Sequence, residues 1–389
     1  MFITIRKVQS GNSSSAETSS RVLFENFKKQ VEEYKLQLNS IVQFNIFVTN
    51  QYDFREVRES LIDELKKVYN GNIPATSIVA QTPLDGSSLN LEYIILDDSG
   101  DYSVEYKEVS TGIYYTVISG NQFKMVVGAG LTNAVSDECR EQVETSFAYM
   151  DNILRNEEMN FSHVIRQWNY LEEITCTFND NGEVRQNYQV LNDIRSQYYS
   201  TAQFNNGYPA ATGIGMQAGG FILEFVAVKG DGNLQVLPLH NPLQTDAYQY
   251  SQKKLIGDSL LKTKKKAAPL FERAKIMVHN NEPIIYISGT AAIHEEESLA
   301  RDDVKEQTNI TICNIDKLYS LIPKQNLNGA EAGNYKIIYA RVYIKDEESY
   351  EEVKVQCDEY FKGALVQYLV SDVCREELLV EIEAIICPE

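Results

Sequence analysis

The sequence predicts an α+β fold: two copies of one unit, each a mixed sheet with helices packed on one face, preceded by an N-terminal extension. Three observations lead there. The order strand, helix, strand, helix, strand occurs twice along the chain. Within those elements apolar residues recur either at every second position or at three- and four-residue spacing, which separates strands from helices. The 389 residues, 43% of them apolar and 23% charged, exceed what one hydrophobic core normally uses, so two domains are expected.

In chain order, residues 1–102 form the extension, expected to pack on the first unit. In it RVLFENFKKQVEEYKLQL (21–38) has the spacing of an amphipathic helix and IVQFNIFVTN (41–50) that of a strand, and the sequence places neither. The first unit, 103–228, has the strand FKMVVGAG (123–130) and a helix from Glu138. Then come the strand HVIRQWNYLEE (163–173), a helix from Gln186, and the strand GGFILEFVAV (219–228). The Pro, Gly, Asn and Asp residues of KGDGNLQVLPLHNPLQTD mark 229–246 as a linker. The second unit, 247–389, repeats the order: PIIYISGT (283–290), a helix from Val304, KIIYARVYIKDEE (336–348), a helix from Ser349, and EELLVEIEAII (376–386). Gly128 and Gly289, and Glu224 and Glu381, fall at matching places. The pattern is that of sheets with helices on one face.

Charge narrows the function. Lys+Arg 36 against Asp+Glu 55 gives −19, which repels nucleic acid and anionic membranes. The one basic run, KTKKK (262–266), reads as a solvated loop. No apolar stretch approaches the roughly 20 residues that span a bilayer, and the N-terminus lacks the pattern of a signal peptide, so a cytoplasmic protein is expected. Six cysteines (139, 176, 313, 357, 374, 387) show no CxxC spacing and suggest neither a zinc site nor disulfides; each reads as a small buried residue, Cys374 being the exception. The histidines (163, 240, 279, 294) form no HxxxH or HExxH pair, and GIG at 213–215 is not a dinucleotide fingerprint. No metal, no cofactor and no Ser-His-Asp constellation is predicted.

Several segments resemble a known family. VIRQWNYL, YQVLNDIRSQYY and YPAATGIG in the first copy, with ISGTAAI and LLVEIEA in the second, resemble the RidA (YjgF) unit and its chorismate mutase-like fold. Two fused RidA-like units are the architecture of the chorismatase family. PAATGIG (209–215), APLFERA (268–274), SGTAAI (288–293) and DVCREELLVEIEA (372–384) resemble that family's own motifs. Together the matches run from Ser103 to Ile386. The Arg that RidA proteins carry after Tyr-Pro-Ala is here Ala211, and the second copy offers no substitute, so RidA-type imine hydrolysis is not implied.

The resemblance implies an enzyme that cleaves chorismate to pyruvate and 3-hydroxybenzoate by protonating the enolpyruvyl methylene. Its acid matches Glu381. Glu383, on the same strand face by period two, is the competing candidate. Cys374 stands where 3-hydroxybenzoate-forming members carry a cysteine that assists aromatisation after the substrate's own hydroxyl has attacked. Two substrate carboxylates on so acidic a protein need local cations, and Arg meets a carboxylate bidentately. Arg166, Arg273 and Arg341 are the candidates, whereas Arg195 reads as a helix-surface or capping residue. Tyr208, Thr212 and Gly213, read as a loop, would offer a hydroxyl and backbone N–H groups, since glycine allows close approach. Other readings stay open: hydrolysis to 3,4-dihydroxycyclohexadienoate, a mixture of 3- and 4-hydroxybenzoate, or a non-catalytic RidA-like binding protein. The expected partner is small-molecule chorismate. Both a homotrimer, common among RidA units, and a monomer with internal pseudo-symmetry remain open.

Overall fold

The computed structural model describes residues 2–97, 101–133, 135–327 and 334–389. The N-terminal extension is a sheet in its own right. It comprises β1 (Phe2–Gln9), α1 (Ala16–Glu33), β2 (Ile41–Val48), α2 (Phe54–Tyr69), β3 (Ala75–Val79) and β4 (Leu89–Asp97), with strand order β1-β4-β2-β3. The helix read from 21–38 and the strand read from 41–50 are α1 and β2. Ser15 and Asp53 cap the two helices by accepting N–H bonds from Thr18 and Glu56. Leu23, Phe24 and Phe27 of α1, with Val57, Leu61 and Leu65 of α2, supply the apolar stripes that cover one sheet face.

The second sheet holds β5 (Ser103–Ser110), β6 (Ile113–Gly120), β7 (Phe123–Leu131), β8 (Val164–Glu172), β11 (Ala210–Met216) and β12 (Phe221–Gly230), with α3 (Cys139–Asn156) and α4 (Asn187–Tyr199). A side hairpin, β9 (Thr177–Asp180) and β10 (Glu183–Gln186), precedes α4. The order is β11-β8-β12-β7-β6-β5. The third sheet, β13-β14-β15-β20-β18-β19, contains β13 (Leu234–Leu239), β14 (Ala274–His279), β15 (Glu282–Ala291), β18 (Tyr335–Ile344), β19 (Leu365–Val370) and β20 (Val380–Pro388). It is covered by α5 (Val304–Tyr319) and α6 (Tyr350–Tyr360), and β16 (Ile293–His294) with β17 (Glu297–Ser298) form a small ribbon beside it.

Two expectations need correcting. The stretch 229–246 is not a free linker: Leu234–Leu239 form β13, paired antiparallel with β14, and the turn residues only flank it. The stretch read as a loop, YPAATGIG, contains β11, which pairs parallel with β8. Small residues without alternation concealed it, and β19 likewise pairs parallel with β18. Among the described residues no helix is long and apolar enough to cross a membrane.

The sheets share more than the sequence repeat suggests. The four strands of the first correspond in order to β7-β12-β8-β11 and β15-β20-β18-β19, so the extension is a third copy without the antiparallel strand pair that opens the others. The three copies meet in a ring. Gln43 of β2 donates to Glu224 of β12, Arg166 of β8 donates to Glu383 of β20 at 2.7 Å, and Tyr339 of β18 donates to Glu92 of β4. Each last strand thus offers a buried glutamate to the preceding copy. The ring also corrects the internal alignment. Ser77 Oγ accepts from Gly130 N–H at 2.9 Å and bonds Glu224, as Thr212 Oγ1 accepts from Gly289 N–H at 3.1 Å and bonds Glu383. Glu224 therefore matches Glu383 rather than Glu381, and Gly130 rather than Gly128 matches Gly289. The counterparts of Glu381 are Ile222 and Asn90.

Candidate active site

Alternation along β20 sends Val380, Ile382, Ala384 and Ile386 into the core beneath α5 and α6, and Glu381 and Glu383 toward the neighbouring sheet. Where β15 and β20 face β11 and α4 lies a cleft lined among others by Glu381, Cys374, Tyr188, Gly213, Gly289 and Arg273. The two sheets are pinned beside it by Ala211 N–H to Ser288 Oγ at 2.9 Å and Gly215 N–H to the Asp372 carbonyl at 2.7 Å.

Glu381 is 4% exposed. Burial, then the charge of Glu383, pushes its carboxyl up to about 8 against the opposing pull of Arg166 and Arg273, so it is largely a neutral acid at pH 7. Gly289 is required for its position: a Cβ there would collide with the Glu381 carboxyl. Cys374 is half-buried, and burial followed by the Glu381 charge pushes its thiol up to about 12. It is thus a neutral thiol and not a thiolate. Tyr188, from the first turn of α4, has its phenol pKa raised by burial and by the nearby Cys374. Its ring lies where a Cβ on Gly213 would sit, 2.9 Å away, so Gly213 makes room for an aromatic wall.

Three cations line the same cleft: Arg273, Arg375 and Lys254. Arg273 donates to the Thr245 carbonyl at 2.5 Å and to Tyr250 Oη at 2.8 Å, while its Nε has no partner. Arg375 donates to the Glu296 carbonyl at 2.9 Å and to Ser298 Oγ at 3.1 Å. The Tyr250 ring lies 5.7 Å from one guanidinium and 5.1 Å from the other.

Of the expected residues the structure brings Glu381, Cys374, Gly213 and Arg273 together, and it separates four others from the cleft. Arg166 and Arg341 clamp Glu383 from either side at 2.7 and 3.2 Å, and Trp168 Nε1 donates to it at 2.9 Å. Arg341 further holds Glu92 at 2.8 Å. Both guanidiniums are tied to Glu383 within the ring, although Arg166 Nη1 has no partner, and Glu383 is itself so committed, which removes it as the competing acid. Thr212 donates to Glu383 at 2.5 Å, so its hydroxyl is committed too. Tyr208 stacks among Tyr199, Phe204 and Tyr248, outside the cleft lining. Arg195 is buried rather than on the helix surface, bonded to Asn192. Cys176 and Cys313 are exposed, contrary to expectation.

Sequence reasoning missed Tyr188, Arg375, Tyr250 and Lys254. Arg375 adjoins Cys374 in a quoted motif and Tyr188 lies in YQVLND, so proximity to those motifs was the available signal. Tyr250 and Lys254 lie in irregular chain with no local pattern.

Residues 107–227 match the family model described as Chorismatase FkbO/Hyg5-like, N-terminal, and residues 268–387 match that of Endoribonuclease L-PSP. A 3-hydroxybenzoate synthase of Streptomyces hygroscopicus is 29% identical over 252 residues, 62% of this chain and 68% of the relative. A chorismatase of the same organism is 27% identical over 248 residues, covering 62% and 67%. A chorismatase crystal structure superposes with a TM-score of 0.67 at 20% identity, covering 99% of this chain and 98% of the other. At that identity the likeness concerns the fold, and it extends over the first hundred residues.

Proposed function

Because the chain belongs to the chorismatase family, we propose that it cleaves chorismate to pyruvate and 3-hydroxybenzoate, with Glu381 as the acid. The observation that carries this reading is a buried carboxyl held neutral near pH 7 at a cleft whose other charged lining groups are cationic. Arg273, Arg375 and Lys254 complement the two substrate carboxylates. Glu381 delivers its proton to the enolpyruvyl methylene, and the resulting oxocarbenium ion makes the ether oxygen a leaving group. The ring C–O bond breaks, pyruvate departs as the carbonyl compound, and the substrate's own hydroxyl closes on the vacated ring carbon. The proton that hydroxyl loses restores the Glu381 acid. The arene oxide so formed opens and aromatises: the Cys374 thiol gives a proton to its oxygen, and the proton lost from the ring carbon restores the thiol. No water is consumed, because the atoms of chorismate equal those of pyruvate plus hydroxybenzoate. We place the reaction in the cytoplasm, where six unpaired cysteines stay reduced.

The test is pyruvate release from chorismate. Glu381→Gln should bind an unreactive analogue normally and release pyruvate at least about a hundredfold more slowly, since general acid catalysis contributes ~10²–10⁴-fold. Near-normal turnover in that variant overturns the assignment. Absence of pyruvate with the unaltered protein favours the binding-protein reading. Chromatography of the products distinguishes 3-hydroxybenzoate from the dihydroxycyclohexadienoate and from a 3-/4-hydroxybenzoate mixture.

A further inference from the structure

Outside the cleft lining, next to Arg273 in sequence, lies a cluster the reaction does not use. His240 Nδ1 is 3.0 Å from Asp246 Oδ1 and 3.7 Å from Glu272 Oε2, and the three ligand atoms lie within 4.8 Å of one another. We propose that His240, Asp246 and Glu272 form a binding site for a divalent transition-metal ion of the zinc type. A tetrahedral Zn²⁺ with N and O ligands at about 2.0–2.2 Å holds them roughly 3.3–3.6 Å apart, so the His240 nitrogen already stands near that spacing from both carboxylates, and the two carboxylate oxygens, within 4.8 Å of each other, close on the ion as it binds.

A second observation points the same way. Glu272 is 2% exposed and its Oε2 has no hydrogen-bond partner. Its Oε1 accepts the Tyr208 N–H at 3.0 Å, which orients the carboxylate. Lys275, whose charge reaches Glu272, does not fill the gap. Its three N–H bonds go to the carbonyls of Asn206, Gly207 and Tyr208 at 2.5, 3.1 and 2.7 Å. A buried carboxylate oxygen left without a donor is costly, and a cation seated against Oε2 removes that cost. Tyr248 Oη donates to Asp246 Oδ2 at 2.9 Å, the outer-shell bond that orients a metal-ligating carboxylate. One imidazole and two carboxylates suit zinc and its neighbours. They offer too few oxygens for calcium and no thiolate for softer ions. Asp246 and Glu272 flank the Thr245 carbonyl and Arg273, which bond each other at 2.5 Å. A bound ion would therefore fix the guanidinium of the cleft wall. The ligands are spread from 240 to 272, so no spacing motif reveals them.

The site is tested on the full chain, freed of metal with a chelator, by calorimetric titration with Zn²⁺ and by melting curves, independently of any turnover. One Zn²⁺ per chain should bind and raise the melting temperature. His240→Ala and Asp246→Asn should each lose at least tenfold in affinity, and Tyr248→Phe about 10–100-fold. His240 is half exposed, and an unchanged metal-free melting curve establishes that its variant folds. No Zn²⁺ binding by the unaltered chain overturns the proposal. So does undiminished binding in His240→Ala, which would move the ion elsewhere, to the exposed Cys176 or Cys313 for example.

Discussion

At Glu381 a raised pKa becomes two measurable consequences. A carboxyl shifted up to about 8 stays protonated across neutral pH, so kcat/KM for pyruvate release should fall as pH rises through about 8. A fall centred near 4.5 would contradict it. The same shift has a stability sign. Between the ordinary value of 4.5 and about 8 the folded chain keeps a proton that the unfolded chain has lost, so Glu381 favours folding less as pH rises through that window. Glu381→Gln removes that penalty, and its melting temperature relative to the unaltered chain should climb from pH 5 to pH 8. Cys374 carries the product assignment. Cys374→Ala leaves Glu381 and the cations untouched, so pyruvate should still form while the product shifts from 3-hydroxybenzoate toward dihydroxycyclohexadienoate. The same product at the same rate would make the cysteine a packing residue.

β15 and β20 show how a strand places an acid against a neighbour. Backbone pairing of Ala291 with Glu381 sets the register, and alternation then decides which side chains face the adjoining sheet. Between Ile287 and Thr290 the pairing of β15 with β20 shifts, and Gly289 sits in that irregularity. Its φ is not positive, so alanine is tolerated there by the backbone, and what opposes it is chiefly the Glu381 carboxyl, with a lesser contact to Thr212 Cγ2 at 3.1 Å. Gly289→Ala should melt near the unaltered temperature yet lose tenfold or more in pyruvate release, because an ångström of displacement can cost ~10² in rate. Full activity would mean that the carboxyl is free to relocate. Period-two spacing could nominate both Glu381 and Glu383. The bonds from Arg166, Trp168, Arg341 and Thr212, which remove Glu383 from contention, come from other strands and are invisible in its own.

For the whole molecule, the ring Gln43–Glu224, Arg166–Glu383, Tyr339–Glu92 closes within one chain. The three topologically matching copies thereby meet one another's last-strand glutamates within one chain. The chain is therefore expected to be a monomer, and light scattering should give a mass near 44.2 kDa. A mass about three times larger would mean that the internal ring does not replace the external one. Pseudo-symmetry also relates the proposed site to two other junctions. At the positions matching Glu381 the other copies carry Ile222, which has no proton to give, and Asn90, which is bonded to Asp85 and Gln367.

The sequence by itself determined the α+β class, the two full copies and the strand bearing the proposed acid. Those properties rest on local periodicity and on motifs that survive within a few residues of one another. Glu381, Cys374, Gly213 and Arg273 were legible for that reason. Tertiary structure alone decided the rest: that the extension is a third copy, that Arg166 and Arg341 serve the ring, and that Arg375, Tyr188, Tyr250 and Lys254 complete the cleft. A strand arginine reads the same in sequence whether it faces a ligand or a buried glutamate more than two hundred positions away, as Arg166 faces Glu383. Which of these it meets is fixed by how the sheets pack, and no local pattern encodes that.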